Sequence, residues 1–315
     1  MAAGDLRHHW IVKVIMNDEP ELLRDLVAGY VAEQCRVLIE AERQLLAGEP
    51  VVHSTRVAVR RLRSTLRTCA ELFDPTRVEQ LEPELVWWAG VLGAVRDLDI
   101  LTERMDRRLT DLPVELVLGP VANTITVELN AQRQDHFKEV IAALDSPRYR
   151  ALIIELHRWQ NSPPFTEAAE IEAGEVARYV KRAGKKLEKR LEAAAEACRA
   201  GEEQADDLLH RSRKAGKRHR YVAEVAQPIW SGKADKIINR RKKLQDILGD
   251  HQDSHVATAF LRQLGARVGT HEGQNGFTYG LLLGMEREHL QQMRDALARS
   301  KPGAAEKALL ALAKS

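Results

Sequence analysis

Two stretches of this sequence place a histidine ahead of basic residues with the same spacing. The first runs from His53 to Arg63 and reads HSTRVAVRRLR; the second runs from His210 to Arg220 and reads HRSRKAGKRHR. Both have basic residues at +3, +7, +8 and +10 from the histidine. Arginine forms paired hydrogen bonds to phosphate oxygens, and lysine adds a compact positive charge. The chemistry that these residues could perform is therefore the binding of an anion.

Helical periodicity gathers these residues on one face of each segment. At about 100° per residue, the first row consists of His53, Arg56, Arg60, Arg63 and Arg67. The second consists of His210, Arg213, Lys217 and Arg220, with Tyr221 beside them. No Asp or Glu lies between residues 51 and 70, so no acid one turn away neutralises the first row. A single row would be read as a solvated surface, whereas a duplicated row of one sign predicts a bound anion.

Two more segments of the second half have basic faces. These candidate contacts are Lys181, Lys185 and Lys189 on one segment and Lys236, Arg240 and Lys243 on another. The row from His53 to Arg67 is about 20 Å long at 1.5 Å per residue, which suits an extended polymer of phosphates better than one small anion. Binding a polyanion releases condensed counterions, so affinity should fall steeply with salt.

The elements that position these residues are predicted to be helices almost throughout. The composition is 44% hydrophobic, 30% charged and only 5% aromatic, which is typical of long amphipathic helices. Predicted helices span roughly 20–47, 52–73, 77–94, 97–110, 114–144, 147–160, 168–200, 204–226, 234–248, 252–266 and 276–300. The sequence therefore predicts an all-α protein.

A second motif follows each basic row at nearly the same distance. Leu92-Gly93 precedes Arg96-Asp97 in the first half, and Leu248-Gly249 precedes Gln252-Asp253 in the second. Recurrence of two features indicates duplication of one helical unit. A loop at residues 161–164 gives the expected division: an N-terminal extension 1–19, a first bundle 20–165, a second bundle 166–300 and a tail 301–315. Asp97 and Asp253 are expected to cap the helices that follow them.

Other features of the sequence limit the cellular compartment and the class of protein that we expect. The three cysteines are far apart and odd in number, which favours a reducing compartment over a disulfide framework. The longest apolar run, from Leu85 to Val95, has about eleven residues, short of the ~20 that span a bilayer. We find no pattern of a secretory signal peptide. The expectation is a cytoplasmic protein without a membrane partner.

No catalytic residues, metal ligands or cofactor are predicted. His251 and His255 are four residues apart on a helix, but no third ligand is indicated, so we favour a polar helix start over a metal site. No phosphate-cradling glycine loop occurs. His53 and His210 are each expected in the first turn of a basic helix, where a phosphate would accept a hydrogen bond from the ring and favour the imidazolium.

Together these motifs resemble the CHAD family, the conserved-histidine α-helical domain, over roughly residues 20–300. The resemblance implies two antiparallel helical bundles related by a pseudo-twofold duplication, with a basic groove or channel. It also implies binding of inorganic polyphosphate and, in some members, location at polyphosphate granules. The family's basic contacts correspond to His53, Arg56, Arg60, Arg63, His210, Arg213, Lys217 and Arg220. Two positions depart from the repeat: His219 stands opposite Leu62, and Gln252 stands opposite Arg96.

Our hypothesis is a non-enzymatic module that binds inorganic polyphosphate. The first alternative is nucleic-acid or other polyanion binding, which shares the electrostatics but would use aromatic side chains that are scarce here. The second alternative is a phosphohydrolase or an accessory to one, which requires carboxylates to hold Mg²⁺. Many relatives also contain a triphosphate tunnel domain, but its Glu-x-Glu-x-Lys signature is absent from this sequence, so the resemblance implies no hydrolase activity.

Overall fold

The computed structural model describes residues 20–268 and 276–312, and the predicted N-terminal extension 1–19 lies outside them. The described residues form an all-α fold of ten α-helices joined by turns and short 3₁₀ segments, as the sequence predicted. The helices are α1 (Leu23–Leu46), α2 (Val52–Thr68), α3 (Pro75–Asp111), α4 (Val121–Leu144), α5 (Pro147–Asn161), α6 (Val176–Ala200), α7 (Ala205–Val225), α8 (Gln227–Val268), α9 (Phe277–Ala298) and α10 (Ala305–Leu312).

Local chemistry accounts for several helix boundaries. Asp74 caps α3 by accepting a hydrogen bond from the Thr76 amide at 2.8 Å, and Pro75 occupies the first helical position. The helix expected at 114–144 begins only at Val121, because Gly119 has a φ of +82° and Pro120 follows it. A positive φ is compatible with glycine but interrupts a right-handed helix.

Helices α3 and α8 are longer than the sequence predicted. Each was expected to be two helices, with breaks near residues 95 and 250, but both run continuously through these positions. The prediction that Asp97 and Asp253 cap helices was therefore wrong, since both lie inside a helix. The glycine in each Leu-Gly motif does not end its helix; it has a different role in the site described below.

The buried face of α2 is the one that the periodicity predicted. Val59, Leu62 and Leu66 are fully buried in the main hydrophobic core, together with Cys69 and Phe73 just beyond the helix. Burying such side chains contributes roughly 1.5–3 kcal/mol each. The basic residues of α2 are consequently held on the opposite face of a rigid element.

The hydrophobic core contains residues from both sides of the loop at 161–164. Trp159 of α5 and Tyr179 of α6 belong to the same buried cluster. A second cluster joins Met105 of α3 and Leu129 of α4 to Leu261 of α8. The division into two bundles at residues 165 and 166 stays a prediction. Among residues 20–268 and 276–312, no helix is both long and apolar enough to cross a membrane.

Candidate anion-binding site

Helices α2 and α7, one from each half of the sequence, pack against each other. Arg61 of α2 donates a hydrogen bond from Nε to Glu224 of α7 at 2.8 Å, and its guanidinium lies 5.9 Å from the centre of the Tyr221 ring. Earlier along both helices, Arg213 lies close enough to Arg56 for the charge of Arg56 to lower the pKa of Arg213. The two predicted basic rows therefore meet where α2 contacts α7, and we call this line of contact the seam.

Four basic side chains meet at this seam, and we call Arg56, Arg60, Arg213 and Lys217 the cation cluster. Burial lowers the pKa of Lys217 to about 6, and repulsion from the three arginines contributes. Burial likewise lowers the pKa of Arg213, with Arg60 and Arg56 acting in the same direction. These positive charges repel one another, so the cluster favours an anion that can approach all four.

Carboxylates from neighbouring helices neutralise part of this charge. Arg56 forms an ion pair with Asp97 at 2.8 Å, and Asp253 lies near Arg213. Arg60 and Lys217 have no carboxylate within ion-pair distance among residues 20–268 and 276–312. The absence of acids along α2 thus did not exclude acids contributed by α3 and α8. The cluster retains an excess of positive charge because at least two of its members lack an acidic partner.

A glycine lies under one arginine of the cluster on each side. Arg56 donates a hydrogen bond from Nη1 to the Gly93 carbonyl oxygen at 2.7 Å, and a Cβ at Gly93 would lie 3.4 Å from the guanidinium. Arg213 lies equally close to α8, because a Cβ at Gly249 would be 3.2 Å from its Nη2. The Leu-Gly motifs therefore allow each guanidinium to lie directly against the backbone of a continuous helix.

The two histidines lie at the same end of the seam but differ in position and partners. His53 is in the first turn of α2, as predicted, whereas α7 begins at Ala205 and places His210 in its second turn. His210 Nδ1 is 2.7 Å from Gln252 Oε1, while His53 lies near Arg96. Where the first half has Arg96, the second half has Gln252. The histidine's neighbour at this position is thus a cation in the first half and a neutral amide in the second.

Burial is the main cause that lowers the pKa of both histidines. Arg96 and Arg60 add to this effect at His53, and Lys214 adds to it at His210. Both imidazoles therefore favour the neutral form near neutral pH, in which one ring nitrogen donates and the other accepts a hydrogen bond. A bound phosphate would oppose this effect and favour the imidazolium.

Beyond the cation cluster, two arginines of α2 share one carboxylate, so their positive charge is only partly neutralised. Arg67 forms an ion pair with Glu82 of α3, and Arg63 Nη2 lies 3.8 Å from the same carboxylate. Burial lowers the pKa of Arg218, which faces Arg67 and Arg190. Arg218 and Arg96 belong to the neighbourhood of the site, although they were not among the predicted contacts. The sequence could have indicated Arg218, since it is the basic residue at +8 in the second copy of the repeat.

Several predicted contacts have other partners. Arg220 donates to Glu224 at 2.8 Å and to Gln245 at 3.0 Å, and Tyr221 is only 3% exposed, with its ring beneath Arg61 and Arg220. Arg220 and Tyr221 support the wall of the seam and present little surface to a ligand. Arg240 forms an ion pair with Glu306 of α10.

The remaining predicted lysines are exposed on the surfaces of two helices. Lys181, Lys185 and Lys189 lie on α6, and Lys236 and Lys243 lie on α8. No ion pair joins any of these five to an acid within the described residues. No described contact joins them to the cation cluster either, so their part in the site stays a prediction.

Carboxylates also lie beside the cluster, which the sequence did not indicate. Burial raises the pKa of Asp253, and the charges of Asp250 and Asp97 act in the same direction. Asp250 is engaged by Arg104 and, at 2.5 Å, by His289. The three acids are thus close enough to interact, but at least two of them already have cationic partners.

Comparison with known proteins identifies the family. The CHAD domain family matches residues 29–262. The chain is 32% identical over 279 residues to uncharacterized protein Rv2226 of Mycobacterium tuberculosis (strain ATCC 25618 / H37Rv), covering 88% of this chain and 53% of that protein. Uncharacterized protein MT2285 of strain CDC 1551 / Oshkosh gives the same values. This chain therefore spans about half the length of the curated relatives it matches.

Two solved structures share the fold. PptA from Streptomyces chartreusis superimposes with a TM-score of 0.69 and 22% identity, covering 93% of this chain and all of that one. The CHAD domain from the plant Ricinus communis superimposes with a TM-score of 0.62 and 23% identity, covering 91% of this chain and 96% of that one. With a family match over most of its length and relatives above 30% identity, this chain belongs to the CHAD domain family.

Proposed function

We propose that this chain binds inorganic polyphosphate along the seam between α2 and α7 and does not cut it. The observation that carries the proposal is the cation cluster, in which Lys217 and Arg60 form no ion pair with an acid of the described residues, and burial and repulsion lower the pKa of Lys217 to about 6. Phosphates lying between the helices would replace this repulsion with charge-assisted hydrogen bonds.

The shape of the seam favours a polymer over a single phosphate. The row on α2 from His53 to Arg67 covers fourteen residue steps, or about 21 Å at 1.5 Å per residue. Arg213 and Lys217 of the α7 row lie near Arg56 and Arg60 of the α2 row, so basic groups from both helices line one path. A linear chain of phosphates can meet several of these groups at once, whereas orthophosphate can meet only those at one point.

Binding measured by calorimetry, with polyphosphates of several lengths at two salt concentrations, tests this proposal. Arg60→Glu/Lys217→Glu should weaken binding more than tenfold and reduce its salt dependence, because fewer counterions are released. The new carboxylates can pair with Arg56 and Arg213, so the helices should remain folded, which circular dichroism verifies.

A matched control reverses two exposed charges far from the seam. Lys138 and Arg150 are 76% and 65% exposed and pair with Asp135 and Asp145. Lys138→Glu/Arg150→Glu makes the same change in net charge and should leave affinity nearly unchanged. Equal weakening in both double variants would mean that net charge alone drives binding, and unchanged affinity in the Arg60/Lys217 variant would reject the seam.

The alternatives give different outcomes in the same preparation. Single-stranded RNA or DNA that displaces polyphosphate at equal phosphate concentration would favour a general polyanion binder. Because Asp97 and Asp253 lie beside the cluster, release of orthophosphate is measured after incubation with polyphosphate and Mg²⁺. Loss of phosphate release in Asp253→Asn would then favour an enzyme. As part of the proposal, a fluorescently tagged chain should collect at cytoplasmic polyphosphate granules.

A further inference from the structure

Three metal-ligating side chains that are not members of the cation cluster converge at a second group of residues. His251 and His255 lie one turn apart on α8, and Asp206 lies in the first turn of α7. His251 Nε2 is 3.3 Å from Asp206 Oδ1, and His255 Nε2 is 3.1 Å from Asp206 Oδ2. The ligand atoms of the three residues all lie within 4.8 Å of one another.

We propose that Asp206, His251 and His255 form a binding site for Zn²⁺ or a similar divalent transition-metal ion. Zinc bonds imidazole nitrogen and carboxylate oxygen at about 2.0–2.2 Å, so neighbouring ligands of a tetrahedral zinc ion are about 3.3 Å apart. The two nitrogen–oxygen separations, each to a different oxygen of Asp206, are close to this spacing. Two histidines and one carboxylate leave a fourth position for a solvent oxygen.

Arg294 of α9 supports the carboxylate instead of blocking it. It donates from Nε to Asp206 Oδ1 at 3.0 Å and from Nη2 to Oδ2. Each carboxylate oxygen has two acceptor positions, so one position on each remains available. Hydrogen bonds from an outer partner commonly orient carboxylates that bind metals. Although burial opposes ionisation, the two histidines and Arg294 hold the pKa of Asp206 below its usual range, so the carboxylate is ionised at neutral pH.

The burial of His251 requires an explanation that helix packing does not supply. His251 is only 3% exposed, and its Nε2 makes no well-aligned hydrogen bond within residues 20–268 and 276–312. In the repeated motif of the first half, the corresponding residue is Val95, which is also buried. An apolar side chain thus satisfies this position of the helix, and a buried imidazole aimed at a carboxylate indicates a ligand.

The sequence alone gave the histidine pair but not its third member. Asp206 is far from His251 in the sequence and is brought to the pair only because α7 packs against α8. Within the described part of the chain, this is the one group of three such side chains with metal-ligand spacing. The prediction that no metal is bound rested on the missing third ligand, and the packing of α7 removes that reason.

Calorimetry with ZnCl₂ and purified protein, in the absence of polyphosphate, tests the site directly. The wild-type chain should bind one Zn²⁺, and His255→Ala and Asp206→Asn should each bind it at least tenfold more weakly. His136→Ala is the control, because His136 lies on α4 and pairs with Glu139 at 2.9 Å. It should bind Zn²⁺ as the wild-type chain does.

A conservative variant separates metal binding from folding. His251→Val restores the residue type of the first half and should fold normally, yet it should lose the rise in melting temperature that Zn²⁺ gives the wild-type chain. The proposal is overturned by a wild-type chain without a saturable Zn²⁺ site, or by a well-folded His251→Val chain that keeps wild-type affinity. Because no polyphosphate is present, either result leaves the proposed function untouched.

Discussion

The guanidinium of Arg56 lies against the backbone of Gly93, to whose carbonyl oxygen it donates a hydrogen bond at 2.7 Å. Arg213 makes the same approach to Gly249 in the other half. In both cases a glycine inside a helix lets an arginine lie closer to the helix backbone than a larger side chain would allow. The close approach of these two guanidinium groups to the backbones of α3 and α8 sets the depth of the seam.

Gly93→Ala should reduce polyphosphate affinity severalfold without reducing stability. The added Cβ would lie 3.4 Å from the Arg56 guanidinium, at the near limit of van der Waals contact, so we expect the guanidinium to shift slightly away from the helix, while alanine favours the helix by up to about 1 kcal/mol over glycine. Gly90→Ala in the same helix is the control, because nothing lies within 4 Å of its Cβ. Equal affinity in the two variants, measured by calorimetry, would show that the arginine's position does not matter.

Polyphosphate affinity should fall as the pH rises above about 6. In the free chain the pKa of Lys217 is about 6, so this lysine is mostly neutral at pH 7.5. A bound anion favours the charged form, so binding takes up a proton and weakens with increasing pH. Lys217→Arg keeps the charge at all these pH values and should flatten the profile between pH 6 and about 8. A wild-type profile that is already flat would contradict this assignment.

Lys217→Met should increase the free energy of unfolding at neutral pH by roughly 1–2 kcal/mol. The folded pKa of about 6 is below the ordinary lysine pKa of 10.5. The unfolded chain therefore binds more protons between these values, and this lysine lowers stability as the pH falls from about 10.5 to 6. Removing the charge removes the penalty, and its benefit should shrink towards high pH. Urea titrations at pH 7 and pH 10 measure both effects.

Glu286→Ala should destabilise the fold by about 3–5 kcal/mol, because it removes one of the two carboxylates that pair with the buried Arg104 and leaves only Asp250. Glu286 is fully buried, and Arg104 binds it through Nε at 2.9 Å and through Nη2 at 2.6 Å. The double variant Arg104→Met/Glu286→Leu replaces both charges with apolar groups and should recover much of the loss. Chemical denaturation measures both, and a single variant as stable as the double variant would refute the pairing argument.

The helices and the buried face of α2 could be predicted because they follow from local periodicity. The contacts of the basic residues could not. The sequence pattern predicted both Lys185 and Lys217 as anion contacts, but only Lys217 faces basic residues of the other half of the chain. Local sequence does not distinguish a basic row that faces solvent from one that faces another helix. Asp97 was expected to cap a following helix because Asp is a favoured N-cap residue, but α3 continues through it and the nearby Gly93 instead allows the close approach of Arg56.

The joining of α2 to α7 through Arg61 and Glu224 has a consequence for synthesis of the chain. The first basic row leaves the ribosome about 150 residues before the second. A growing chain that ends before α7 holds only half of the cation cluster, so its arginines stay hydrated and do not repel a facing row. Under the proposed function, affinity for a long anion would therefore arise late, when Glu224 emerges and Arg61 can pair with it to hold α2 against α7.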